Sequence, residues 1–594
     1  MSMILRFALF AVLAASGLGL ALLDGPATGA QSERKDAAGA DDRAVPKSAL
    51  RRPIALAQSR DGHWLFVANQ RSGSISVIDL ATMRVEAEVA VGRRLADLAM
   101  TDDGASLVAV DEEAGELVVL GCQGSKLAPR HRLKINPTPV SVQLSRDGSR
   151  CTVASLWPRQ LTIIALGAKP HVAKTIDLPF APRTQLLVND DKLVVTEAFG
   201  GRLAVIDLRS GTIKSVRSIP GHNIRGLALS ADRSHLLLTN QMLNPLGRAQ
   251  RDDIHWGNLL TNNLRSLRLA SVLDPKTDLL AGSDLLHLGD ADHGTGDPAC
   301  VVDCGGRLAV SLGGVNEIAV GRQPGHAWQY FRVGGRPTAL LPSPDNRRVY
   351  VANTNSDTIS VMDLEKPKVV AEISLGPTPE LSWADRGEAL FYDAKLSHDG
   401  WLSCHSCHTD GHTNGKLADT LGDGTYGTPK RILSLRGVGD TAPWAWNGGI
   451  TDLEKQVAQS IASTMQGPKP SPDQVRDLTA YIKSLPAAPP RSLAINDDEA
   501  IKRGGAVFVK NNCARCHAPP TYTSSGRYDV GLVDEAGHKH FNPPSLRGVS
   551  QGGPYFHDGR APALVDVFTR QRHQLKSALT KQELEDLLAF LGTL

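Results

Sequence analysis

The sequence predicts a multidomain chain, an all-β seven-bladed propeller over residues 51–379 followed by two mainly α domains over residues 380–490 and 491–594. Three observations carry this reading. A turn-strand-turn-strand pattern recurs about every 40 residues from Pro53; the pattern gives way near residue 380 to helical segments separated by Gly/Pro loops; and a second, longer duplication runs through that helical third. With 594 residues the chain exceeds what one hydrophobic core serves. Its 56 Gly and 35 Pro, against only 5% aromatic residues, suit many short strands joined by turns.

The N-terminus opens Met1 to Arg6, runs apolar from Phe7 to Leu23 and reaches small residues at Ala27 to Ala30. This pattern predicts a secretory signal over residues 1–30, cleaved near Ala30, and a polar linker over residues 31–50. The alternative is an uncleaved anchor, because the apolar run is near the lower limit for spanning a bilayer. Cleavage would leave a periplasmic protein with no stable membrane span. The 65 basic and 62 acidic residues give a net charge of +3 without long basic runs, which argues against a nucleic-acid partner.

Seven copies of the first repeat start near residues 53, 95, 139, 184, 224, 299 and 338. The clearest pair sets Ser59-Arg-Asp-Gly62, Leu65-Phe-Val-Ala-Asn69 and Ser74-Ile-Ser-Val-Ile-Asp-Leu80 beside Ser343-Pro-Asp-Asn346, Val349-Tyr-Val-Ala-Asn353 and Thr358-Ile-Ser-Val-Met-Asp-Leu364. One such four-stranded blade cannot bury both of its faces, so blades must stack until a ring closes. The pattern resembles the seven-bladed YVTN-type propellers, a fold that hosts enzymes and binding modules alike. The fifth copy carries about thirty extra residues between Gln241 and Pro298, including His255, His287 and His293. Long loops in compact domains are often functional or interfacial. This insertion is therefore the expected surface of contact with the helical third, although each histidine alone reads as an ordinary surface residue.

The helical third duplicates in register. Arg386-Gly-Glu-Ala-Leu-Phe391 matches Arg503-Gly-Gly-Ala-Val-Phe508, and Ser434-Leu-Arg-Gly-Val438 matches Ser545-Leu-Arg-Gly-Val549. Between them stand Cys404-His-Ser-Cys-His408 and Cys513-Ala-Arg-Cys-His517; in both copies the first Cys lies 81 residues before the terminal Leu, Leu485 or Leu594. C-x-x-C-H is the attachment pattern of c-type haem: two thiols bond the porphyrin and the next imidazole meets the iron. The expectation is thus tandem cytochrome c domains with two covalently bound haem c groups, held by Cys404, Cys407, Cys513 and Cys516, with His408 and His517 as proximal iron ligands. Sixth ligands are expected from the loop before each last helix, where Met465 and His573 occupy equivalent places; a buried Met and a surface His are the alternatives. Cys122, Cys151, Cys300 and Cys304 remain as disulfides or buried thiols.

With Leu396-Ser-His-Asp-Gly400, the first C-x-x-C-H and Pro554-Tyr-Phe-His-Asp-Gly-Arg560, residues 380–594 resemble the bacterial di-haem cytochrome c peroxidase family, which includes the methylamine-utilisation di-haem oxidases. The resemblance implies a peroxidatic first haem, an electron-donating second haem and a tryptophan between them, which falls on Trp446. It implies a catalytic Glu near Ala462 to Met465, where Met465 stands instead, and a distal His for which His412 lies too close and the expected loop offers Tyr426. It also implies a calcium ion between the haem domains, for which the sequence supplies no convincing ligand cluster. The expected function is that of a periplasmic oxidoreductase transferring electrons through haem. Its partners would be a small cytochrome, a cupredoxin or a dehydrogenase, with hydrogen peroxide or a partner as substrate. The alternative is a non-enzymatic electron-transfer module with the propeller as docking platform. Without a general acid/base at the first haem, weak peroxide turnover is expected.

Overall fold

The computed structural model describes residues 48–322, 328–491 and 497–594. The signal expected at residues 1–30 lies outside them, as does most of the linker. Seven four-stranded antiparallel sheets form the propeller, their innermost strands starting at Pro53, Leu95, Pro139, Pro182, Leu227, Pro298 and Pro337. These starts fall within three residues of those expected from the repeat. In blade 1 the strands run Pro53–Gln58, Trp64–Asn69, Ser74–Asp79 and Arg84–Ala90. The two middle strands are almost wholly buried because both of their faces meet neighbouring blades, whereas the outer strand alternates between exposed and half-buried residues.

The recurrent Ser/Thr-x-Asp turn has a local cause. Ser59, Thr101, Ser145, Ser230 and Ser343 each donate their hydroxyl to the aspartate two residues on, at 2.5–2.6 Å. The same hydroxyl accepts the backbone N–H that opens the next strand, as in Trp64 N to Ser59 Oγ at 2.9 Å. The ring closes without exchanging a strand, since each sheet is built from consecutive strands. Leu65, Val67 and Ile78 of blade 1 pack on Tyr350, Ile359 and Val361 of blade 7. The Asp357 carboxylate accepts the backbone N–H groups of Arg51 and Arg52 at 2.9 and 2.7 Å, tying the two blades together.

The blade-5 insertion forms two short helices, α1 (Arg251–His255) and α2 (Leu269–Leu273). After the propeller come α3 (Trp383–Phe391), α4 (Cys404–Cys407), α5 (Leu453–Gln459) and α6 (Pro472–Ser484), then α7 (Asp498–Lys510), α8 (Leu564–Thr569) and α9 (Lys581–Gly592). None of the described helices is long and apolar enough to cross a membrane. Cys122, Cys151, Cys300 and Cys304 form no disulfide, so of the two alternatives for them the thiol is realised. Burial pushes Cys151 and Cys304 up to about 12.

The Arg-Gly pair repeated in α3 and α7 is explained by a helix crossing. A Cβ on Gly387 would fall 1.9 Å from the Asp477 carbonyl oxygen on α6, and one on Gly504 would fall 2.0 Å from that of Asp586 on α9. Beside each glycine an arginine grips the same aspartate: Arg386 reaches Asp477 at 2.7 and 3.3 Å, and Arg503 reaches Asp586 at 2.8 and 2.9 Å. Gly387→Ala must therefore force α3 off α6. We expect a loss of about 3 kcal/mol, read in the denaturant midpoint of the helical third; an unchanged midpoint would refute the crossing as its cause.

Candidate haem centres

The first C-x-x-C-H opens on a capped turn. Ser403 caps α4, its hydroxyl accepting the His405 N–H at 3.1 Å, while Ser406 Oγ accepts the Ser403 N–H at 2.9 Å. Burial pushes the Cys404 and Cys407 thiols up to about 12, with the nearby Asp297 charge adding to both. Such thiols stay neutral, and conversion to thioethers would remove the ionisable group from apolar surroundings. His408 Nδ1 lies 2.8 Å from the Leu433 carbonyl oxygen. A carbonyl only accepts, so the proton sits on Nδ1 and the Nε2 lone pair is free. Burial holds this imidazole down at about 4, in the neutral form that ligates a metal. This donor set fits haem c.

The propeller grips this turn directly. Asp297, at the entry to blade 6, accepts Ser403 Oγ at 2.5 Å, Ser406 Oγ at 2.6 Å and Gln241 Nε2 at 3.1 Å. His222 Nε2 donates to the Ser406 carbonyl at 2.9 Å. Arg225 pairs with Asp410 at 2.8 Å, which with Arg183 holds that buried carboxyl well below the usual carboxylate range against the cost of burial. The blade-5 insertion also meets the helical third, as its length suggested. Asn262 Nδ2 donates to the Trp401 carbonyl at 2.9 Å, and Tyr426 Oη and Gln466 Nε2 both donate to the Ala249 carbonyl, at 2.8 and 3.0 Å. His287 instead bonds Asn263 within its own blade, at 2.7 Å. His222, Arg225 and Asp297 escaped the sequence reading because they stand more than 100 positions before the motif that they hold.

The second motif sits on a short 3-10 turn, Cys513–Arg515. Burial pushes Cys513 up to about 11 and raises Cys516. His517 Nδ1 donates to the Tyr522 carbonyl at 3.1 Å, again leaving Nε2 free. Burial holds His517 at about 4, with His573 lowering it further. The His573 ring is itself lowered by burial and meets Phe556 edge-on at 5.3 Å. Met465 is 3% exposed, in the apolar cluster of Phe391, Leu396 and Trp401 against which Cys404 packs. His412 is buried between Trp157 and Phe199 of the propeller, its ring nitrogens facing Ser434 Oγ and the Gln551 carbonyl at 3.0 and 3.3 Å.

Trp446 lies where the two helical domains meet. Its Nε1 donates to the Arg431 carbonyl at 2.8 Å, the Arg431 N–H donates to the His557 carbonyl at 2.6 Å, and the Trp446 and His557 rings stand edge to face at 6.3 Å. His557 is the counterpart of Trp446 in the second copy, so the contact joins equivalent positions. Nearby, the Lys430 ammonium lies 3.2 Å from Asp423 and 3.1 Å from Asp534, and His538 is 2.9 Å from Asp534. A lysine thus already neutralises the carboxylates that face each other between the domains.

Residues 383–494 match the family model described as di-haem cytochrome c peroxidase, and residues 501–594 match that of cytochrome c. Among curated relatives, methylamine utilization protein MauG of Methylorubrum extorquens is 28% identical over 274 residues, covering 35% of this chain and 76% of its own. Cytochrome c551 peroxidase of Nitrosomonas europaea is 25% identical over 274 residues, covering 36% and 81%. Among solved structures, Kuenenia stuttgartiensis hydrazine synthase aligns over 55% of this chain and 99% of the matched chain, at 22% identity and a TM-score of 0.46. These two curated relatives are a MauG protein and a peroxidase, and the two matched domains imply haem c and oxidoreductase chemistry. Residues 383–594 are accordingly a di-haem cytochrome c peroxidase domain followed by a cytochrome c domain, and in this chain both are joined to a seven-bladed β-propeller.

Proposed function

We propose that the chain is a periplasmic di-haem oxidoreductase that takes electrons from a small cytochrome, a cupredoxin or a dehydrogenase and passes them between its two haems through Trp446. Cys404 and Cys407 would hold the first haem with His408 on its iron, and Cys513 and Cys516 would hold the second with His517. Met465 and His573, from equivalent loops before α6 and α9, would supply the remaining iron ligand at the first and second haem. Haem supplies a one-electron iron couple at each motif. The chain supplies neutral imidazoles fixed by the Leu433 and Tyr522 carbonyls, and an indole fixed by the Arg431 carbonyl. The observation that carries the reading is the Trp446–His557 contact at the meeting of the two C-x-x-C-H domains. The propeller holds the first motif through Asp297 and His222.

Peroxide reduction needs an iron position that can open and a proton-transfer group beside it. Met465 stands where the resemblance expects a carboxylic acid, so peroxide turnover is weak. In the half-reduced protein, Trp446→Ala is expected to slow electron transfer between the haems more than it alters either haem's spectrum, and Met465→Ala to let cyanide or imidazole bind at the first haem. Flash-initiated electron-transfer kinetics and ligand titration check both. A rate indifferent to Trp446, or fast peroxide consumption by the wild-type protein, would overturn the reading.

A further inference from the structure

Away from both C-x-x-C-H motifs, two imidazoles and one carboxylate converge where the blade-5 insertion meets the first haem domain. His255 ends α1; His398 and Asp399 lie in the turn that precedes α4. His255 Nδ1 is 2.7 Å from Asp399 Oδ2, and His398 Nε2 is 3.4 Å from the same oxygen. The three candidate ligand atoms lie within 4.8 Å of one another. The two rings face each other at 5.7 Å with 26° between their planes. The side chains keep 25%, 14% and 14% of their exposure, so the cluster is sheltered but reachable from solvent.

The arrangement is built from both sides of the junction. Asp399 takes the left-handed backbone conformation, with φ of 56°, and its carbonyl accepts the Gly294 N–H from the insertion at 2.7 Å. The His398 N–H donates to the Met465 carbonyl at 3.0 Å, which fixes the other side of the turn. One carboxylate oxygen thus serves two imidazole nitrogens supplied by segments more than 140 positions apart. Tetrahedral coordination with bonds of about 2.0–2.1 Å has ligand–ligand edges of roughly 3.4 Å. The His398–Asp399 separation of 3.4 Å matches that edge, and the His255–Asp399 separation of 2.7 Å is shorter, so a small side-chain rotation that opens it would complete the geometry.

We propose that His255, His398 and Asp399 bind a divalent metal ion of the Zn2+ class and thereby clamp the propeller insertion to the first haem domain. Two imidazole nitrogens and one carboxylate oxygen suit a borderline ion, whereas Ca2+ and Mg2+ take oxygen ligands. Three protein ligands leave a fourth position for water. The ion binds the folded junction and not the unfolded chain, in which residues 255 and 398 are far apart, so binding stabilises the fold.

The test uses the full-length protein with its covalent haems, stripped of loosely held metal by a chelator. Titration calorimetry with Zn2+ should show one equivalent bound, and His255→Ala and Asp399→Asn should each weaken binding roughly tenfold or more while the haem absorption is unchanged. X-ray absorption at the zinc edge, which is separate from that of iron, should report two imidazoles and an oxygen on the wild-type protein and decides the ligand set even where a variant fails to fold. Absence of zinc binding to the wild-type protein, wild-type affinity in both variants, or a zinc shell without imidazole would overturn the proposal.

Discussion

Asp297→Ala is expected to free the first haem-attachment turn from the propeller. The carboxylate accepts from Ser403, Ser406 and Gln241, and all three partners sit in buried surroundings from which no water shell replaces it. Removing it strands three buried donors, a loss of about 3 kcal/mol or more. Burial raises the Asp297 carboxyl above its ordinary value, against the lowering effect of those same donors. The readout is twofold: the denaturant midpoint of the first haem domain should fall, and exogenous ligands should enter at the first haem faster. Asp297→Asn keeps one acceptor oxygen and should fall between the two. A midpoint for the alanine variant equal to that of the wild type would mean that the propeller merely abuts the turn.

The sequence carried the architecture because both of its repeats are local. The Ser/Thr-x-Asp turn recurs because one hydroxyl and one carboxylate close it wherever a blade's first strand meets its second, as at Ser59 and at Ser343. The Arg-Gly pair recurs because two helix crossings need the same missing side chain, at Gly387 and Gly504. The C-x-x-C-H motifs were legible for the same reason, their chemistry lying within five consecutive residues. What held the first motif in place was not legible, because nothing near Ser403 or Ser406 points to an aspartate 106 or 109 positions earlier. His412 shows the same limit: the sequence places it four residues after His408, and only the fold seats it against Trp157 and Phe199. The second motif has Asn512 and Arg515 where the first has Ser403 and Ser406. That difference in an otherwise matched pair was a signal for the one-sided grip of the propeller, though it names no partner.

That grip also sets how the protein responds to acid. His222, bonded through Nε2 to the Ser406 carbonyl, is held at about 4 by burial, with Lys416 lowering it further. His412 is held at about 3, first by burial and then by Arg436, Arg431 and Arg159, which face it from the first haem domain and the propeller. Both imidazoles are neutral in the folded protein, whereas in the unfolded chain each takes up a proton near pH 6.5. Between pH 6.5 and roughly 4 the unfolded chain therefore binds more protons than the folded one, and stability falls as pH falls. Each histidine contributes on the order of 3 kcal/mol to that loss. Both lie where the propeller meets the helical third, so acid should loosen this junction. Denaturant midpoints measured at pH 7 and pH 5 should differ by much less in His222→Gln than in the wild type, because glutamine keeps a donor toward the Ser406 carbonyl and has nothing to protonate. An equal drop in both proteins would assign the acid sensitivity to other groups and remove His222 from this account.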